Sequence, residues 1–133
     1  MTDNTLTVQT WDEHIVSGSK GTPRVAHAHA TYEYAGLIEG ASIADALLYY
    51  AETGDDGDGT SFALERIEGT VEGRKGSFIV RHEYRISAAT HHVSSTFTVV
   101  PGSATGELTG MTGSGTTSGS SQTMNYTFEP VFG

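Results

Sequence analysis

The chain has 133 residues, 36% of them hydrophobic, and its 16 acidic side chains against seven basic ones leave a net charge of −9. That length suits a single domain with a real core, and the charge repels a nucleic-acid backbone rather than attracting it. There is no cysteine, which removes disulfides, thiolate metal ligands and cysteine nucleophiles together, and no stretch approaches the roughly 20 apolar residues of a membrane helix.

Residues 1–4, Met-Thr-Asp-Asn, carry neither the basic start nor the apolar run of a secretory leader, so cytoplasmic residence is the expectation. Apolar runs punctuated by 17 glycines then predict about eight strands, starting with residues 6–12 and 25–35. In the second of these, Ala26, Ala28, Ala30, Tyr32 and Tyr34 share one parity and make the better apolar face. His27, His29 and Glu33 share the other. Residues 42–52 come next. Ala44, Leu47, Leu48 and Ala51 also fit a helical period, but two adjacent tyrosines and a missing cap favour a strand.

The acidic run Asp55-Asp56-Gly57-Asp58-Gly59 reads as a turn. A calcium loop beginning at Asp56 would need Gly at its sixth position and Glu at its twelfth, where Ser61 and Ile67 stand. Strands over 61–71 and 77–87 form a hairpin, with Arg74-Lys75 as its two-residue loop and Gly73 opposite Gly76. Counting outward sets Val71 opposite Phe78, Gly69 opposite Val80, Ile67 opposite His82 and Glu65 opposite Tyr84, all on one inner face. The outer face carries Arg66, Glu68, Thr70, Glu72, Ser77, Arg81 and Glu83, with Ile79 as its apolar exception. Further strands are expected at 92–100, 106–110 and 123–129. Between the last two, the Gly, Ser and Thr of residues 112–122 predict a flexible loop.

Several stretches carry a resemblance: Trp11-Asp12-Glu13, Leu64-Glu65-Arg66-Ile67-Glu68-Gly69-Thr70 with Gly73-Arg74-Lys75-Gly76-Ser77-Phe78, Val99 through Met111, and Tyr126-Thr127-Phe128-Glu129. In order and spacing they resemble a functionally uncharacterised bacterial family of small barrels related in fold to allene oxide cyclase. The run from Pro101 to Met111 also looks like the corresponding stretch of barrel cyclases that fold polyketide chains into spirocycles. The resemblance implies an all-β fold, one eight-stranded antiparallel β-barrel of the allene-oxide-cyclase-like type spanning residues 1–133. It further implies a mainly apolar lumen and assembly as a homo-oligomer, and it transfers no catalytic residue set.

Two constellations suggest chemistry. Glu65 and His82 share the inner face, one strand apart, where a carboxylate and an imidazole can exchange protons. With Tyr50, Ile67, Phe78, Val80 and Tyr84 around them, they suggest a lumen that binds an apolar or amphipathic small molecule. As an enzyme, it would be a cofactor-free cyclase or isomerase in which Glu65 and His82 polarise the substrate or move protons. The rival is a metal-dependent cupin-like enzyme, because Gly21, His27, His29, Glu33 and Gly40 have the spacing of the first cupin metal motif. The second motif, with its Pro-x-Gly and further histidine, is missing; His82, His91 or His92 would have to supply a ligand. A third reading is a filled barrel that serves as an interaction module. Neither nucleic acid nor membrane is an expected partner, and a phosphate-binding loop, a nucleophile elbow and a zinc helix are all absent from the sequence.

Overall fold

A computed structural model of the chain describes residues 3–19, 22–50, 59–87 and 92–133. Among them are eight strands: β1 (Thr5–Ser17), β2 (Arg24–Ala35), β3 (Ile38–Tyr50), β4 (Gly59–Val71), β5 (Arg74–Ser87), β6 (His92–Val99), β7 (Thr112–Gly119) and β8 (Thr123–Val131). Each pairs antiparallel with the next, and β8 returns to β1, so the sheet closes into a barrel. The closing seam is short, running only from Thr5 to Thr7 against Asn125 to Thr123. The described residues contain no helix long and apolar enough to cross a membrane.

The period-two pattern decides which side chains enter the barrel. On β2, Ala26, Ala28, Ala30, Tyr32 and Tyr34 are buried as their parity demands. The expected β4–β5 faces also hold, but the register differs. Glu72 and Gly73 form the turn, with φ of 50° and 81°, so Val71 faces Arg74, Ile67 faces Phe78, Glu65 faces Val80 and Ala63 faces His82. A tight hairpin turn of this kind needs positive φ at both central residues, which Glu72-Gly73 supplies better than Arg74-Lys75. The change moves each partner by an even number of residues, which preserves the face.

Two further expectations are corrected. Residues 106–110 are no strand; Gly106 to Leu108 make one 3₁₀ turn, and Gly106 and Gly110 at φ of 62° and 86° break extended geometry. The flexible loop expected over 112–122 is largely β7, hydrogen-bonded to β6 and β8 along its length. Its inward positions are Gly113, Gly115, Thr117 and Gly119, alternating with outward Ser and Thr. The glycines are needed there, because a Cβ on Gly115 would strike the Phe97 ring and one on Gly119 would strike the Met124 side chain. Residues 1, 2, 21, 51, 52, 55–58 and 91, which enter the expectations above, lie outside the described residues.

The interior divides along the barrel axis. At the end that holds the β4–β5 turn, Ile38, Ile67, Val71, Phe78, Val80, Phe97, Val99 and Phe128 fill the lumen. Phe78 stacks on Phe128 with ring centres 6.0 Å apart. The segment between β6 and β7 closes this end by inserting Leu108 and Met111, both fully buried. It is held down by Ser77 and Thr105, whose hydroxyl oxygens lie 2.7 Å apart. Towards the other end the inward residues shrink to Ala28, Ala46 and Ala63 beside Leu48.

Candidate functional site

Glu65 on β4 and His82 on β5 point inward at the boundary between the two halves, each with 1% of its surface exposed. Their side chains meet diagonally across the pairing, with Glu65 Oε1 2.6 Å from His82 Nε2. The other carboxylate oxygen, Oε2, accepts hydrogen bonds from the Tyr34 hydroxyl at 2.7 Å and the Ser42 hydroxyl at 2.5 Å. On the far side of the imidazole, Nδ1 lies 3.1 Å from Ser95 Oγ, which lies 2.5 Å from Thr117 Oγ1. Tyr84 stacks on the ring and Phe97 packs against it at a tilt, with centroids 4.8 and 5.2 Å away. Among the described residues no buried side-chain nitrogen or oxygen lacks a partner, the condition under which a polar network in a core is tolerated.

Burial alone would push the Glu65 carboxyl up; the hydrogen bond and charge of His82, followed by the Ser42 and Tyr34 hydroxyls, outweigh it and hold the group below its ordinary range. Burial, reinforced by the Glu65 charge, pushes the Tyr34 and Tyr84 hydroxyls well above theirs, and Tyr32 moves the same way. At neutral pH the belt is therefore a carboxylate ringed by protonated phenols.

Beside this belt lies a cavity of about 210 Å³. Ala28, Ala30, Ala44, Ala46, Ala63 and Leu48 give it apolar walls. Of the residues expected to bind a ligand, Tyr50 and Tyr84 line it. Ile67, Phe78 and Val80 do not; they pack in the filled half of the lumen, because bulky side chains at those inward positions leave no room. Glu65 and His82 also lie off the cavity, behind the rings of Tyr84 and Tyr32. Thr117, the far end of the hydroxyl chain, is on its wall. At the rim, Trp11 Nε1 donates to Glu13 Oε1 at 2.9 Å and the Tyr50 hydroxyl donates to Glu13 Oε2 at 2.8 Å.

Residues 2–129 match the model of a family described as Protein of unknown function (DUF3224). The chain belongs to that family. A similar solved structure is that of a DUF3224 protein of unknown function from Shewanella oneidensis MR-1, with 23% sequence identity, a TM-score of 0.70, and coverage of 98% of this chain and 99% of that one. The likeness shows a shared fold. Among the curated proteins, none matches.

In this DUF3224 barrel the histidines of β2 face outward. His27 Nε2 and His29 Nδ1 lie 3.1 and 2.8 Å from the same oxygen of Asp45, while Glu33 accepts a hydrogen bond from Gln9. The cupin-spaced residues are thus not brought together at one point, and among the described residues no group of three or more His, Asp or Glu is placed to hold a metal ion. The sequence reading missed Tyr34, Ser42, Ser95 and Thr117. Tyr34, Ser42 and Ser95 carry inward parity on β2, β3 and β6 and were legible by that rule; Thr117 was hidden by the loop reading of β7.

Proposed function

We propose that the protein binds a small, neutral, apolar or amphipathic molecule in the alanine-lined half of its lumen. The observation that carries this reading is the cavity itself. Five alanines occupy inward positions that hold Ile, Val and Phe in the other half of the same barrel, and eight strands leave room for one small ligand only when side chains are kept small. A dry pocket of 150 Å³ accepts benzene, so by proportion about 210 Å³ takes roughly eight to ten non-hydrogen atoms. The hydroxyls of Tyr32 and Tyr84 interact and both residues line the cavity, so one phenol proton of the pair is left to meet an oxygen of the ligand.

A cofactor-free cyclisation or isomerisation of such a ligand, in a barrel of the allene-oxide-cyclase-like type, is the enzymatic form of this reading. Its support is a proton-transferring pair one layer behind the cavity wall. The test is a titration of Trp11 fluorescence with 2-indanone, a neutral ketone whose size falls within that limit. Saturable quenching that Ala46→Leu abolishes is expected; quenching that is non-saturable, or equal in the variant, would overturn the reading.

Assembly has its own support. The outer faces of β3 and β4 expose Ile43, Leu47, Tyr49, Phe62 and Leu64 at 46–59% of their surface, and pairing sets Leu47 beside Phe62. A contiguous exposed apolar strip of this kind marks a protein–protein contact surface. We propose a second copy of this chain as the occupant, because the flank alternates Arg66 with Glu68 and Arg81 with Glu83 and so complements itself about a two-fold axis.

A further inference from the structure

We propose that Thr117, Ser95 and His82 form a proton relay joining the lumen to a buried store, the Glu65–His82 pair. The proposal rests on the reading that the lumen holds a small molecule, and it gives the buried pair a route to that molecule that direct contact does not provide. The heavy-atom distances are those of hydrogen bonds at every step: 2.6 Å from Glu65 Oε1 to His82 Nε2, 3.1 Å from Nδ1 to Ser95 Oγ, and 2.5 Å from Ser95 Oγ to Thr117 Oγ1. Thr117 then lines the cavity.

The chain has two complete hydrogen arrangements. With His82 neutral, Nε2–H donates to Glu65, Nδ1 accepts from Ser95, and Ser95 accepts from Thr117; the free lone pair of Thr117 faces the lumen. With His82 protonated, Nδ1–H donates to Ser95, Ser95 donates to Thr117, and the Thr117 proton faces the lumen. Passing between them moves one proton. A ligand C–H gives its proton to Thr117 Oγ1, leaving its electron pair on the ligand. Thr117 passes its own proton to Ser95, and Ser95 passes its own to Nδ1. The reverse sequence returns a proton to a different atom of the ligand, and no redox partner is needed. Around the pair, Glu65 from β4 carries the charge that opposes a protonated His82, Tyr34 from β2 and Tyr84 from β5 stay protonated, and Phe97 from β6 packs against the ring. The ligand class this fits is an enolisable carbonyl compound, with the carbonyl oxygen at the Tyr32–Tyr84 pair and the adjacent C–H towards Thr117.

The test begins with the protein alone. The Nδ1–H proton of His82, observed by NMR on the protonated ring, is expected to exchange with water through the relay. Thr117→Val and Ser95→Ala should slow that exchange about tenfold or more, the lower range of what a positioned proton-transfer group contributes, and Thr117→Ser should restore it. Should the valine variant fail to fold, Thr117→Ala takes its place. An exchange rate unchanged in both hydroxyl deletions, or faster through local opening, would overturn the relay. A second arm follows deuterium uptake at the α-carbon of 2-indanone in D₂O, at saturating ketone. The wild type should accelerate uptake, and Thr117→Val should lose that acceleration at unchanged affinity; equal uptake in both proteins would overturn the chemical role. Failure of 2-indanone to bind would count against the lumen reading alone, since the His82 exchange is measured without ligand.

Discussion

Filling the cavity reverses the usual sign of a small-to-large core substitution. Ala46 on β3 points into the lumen, 8% exposed, among Ala28, Leu48 and Ala63. Ala46→Leu adds three carbons there, and at about 0.8 kcal/mol per buried CH₂ the gain approaches 2.4 kcal/mol. Ordering the leucine takes back roughly 0.5–1 kcal/mol. The net expectation is a protein more stable by about 1.5 kcal/mol, which for this length corresponds to a Tm higher by about 5 °C. Urea denaturation followed by circular dichroism gives the free energy, and calorimetry gives Tm. An alanine position in a well-packed interior would respond the other way, with a loss of about 1–3 kcal/mol from overpacking. A destabilised Ala46→Leu protein would therefore refute the hollow half of the barrel, and with it the ligand reading.

The buried pair makes stability fall in acid. Glu65 has a lower pKa folded than unfolded, so its contribution is complete above its ordinary value of 4.5 and drains away as the pH falls through the folded value. Glu65→Gln should flatten that acid limb, as measured by urea midpoints across pH 2–7. His82→Ala strands the buried carboxylate and should cost about 3–5 kcal/mol at pH 7, read by the same denaturation. In alkali the sign reverses: Tyr34 and Tyr84 have raised values, so their contribution is present below about pH 10 and lost above it. Absorbance at 295 nm should show their phenolates appearing only with unfolding. On the surface, Phe62→Lys should shift sedimentation towards a monomer without lowering Tm; an unchanged oligomer would exclude the β3–β4 strip as the interface. At the β4–β5 turn, Glu72→Asn should add about 1 kcal/mol, because Asn tolerates the positive φ that Glu72 adopts.

Period two made most of the barrel legible. Parity placed Ala26 through Tyr34 inside and His27, His29 and Glu33 outside, and it put Glu65 and His82 on one face even with the hairpin register misplaced. Register was harder because Arg74-Lys75 and Glu72-Gly73 both offer a two-residue loop between the same strands; the deciding term, positive φ at both loop residues, lies in backbone geometry rather than hydropathy. Composition misled at residues 112–119, where Gly and Ser usually mean a flexible chain. There the glycines are inward positions that Phe97 and Met124 fill from neighbouring strands, a relation between strands that composition does not carry. Cavity membership was illegible for the same reason. Ile67 and Tyr84 obey one parity rule, yet only Tyr84 reaches the hollow half.

Whether a buried acid–base pair can act on a ligand depends on what separates them, and the belt answers this with side chains of graded size. Tyr84 stacks on the His82 imidazole and Phe97 packs against it at a tilt, and Tyr34 and Ser42 occupy one carboxylate oxygen of Glu65. The remaining approach is along the imidazole plane through Nδ1, and the two residues there, Ser95 and Thr117, are hydroxyl-bearing. A purely structural core would be served as well by valine at both positions, with the imidazole nitrogen satisfied by other means or replaced. The hydroxyl chain instead ends on the cavity wall, and cavity and pair belong to one polar path.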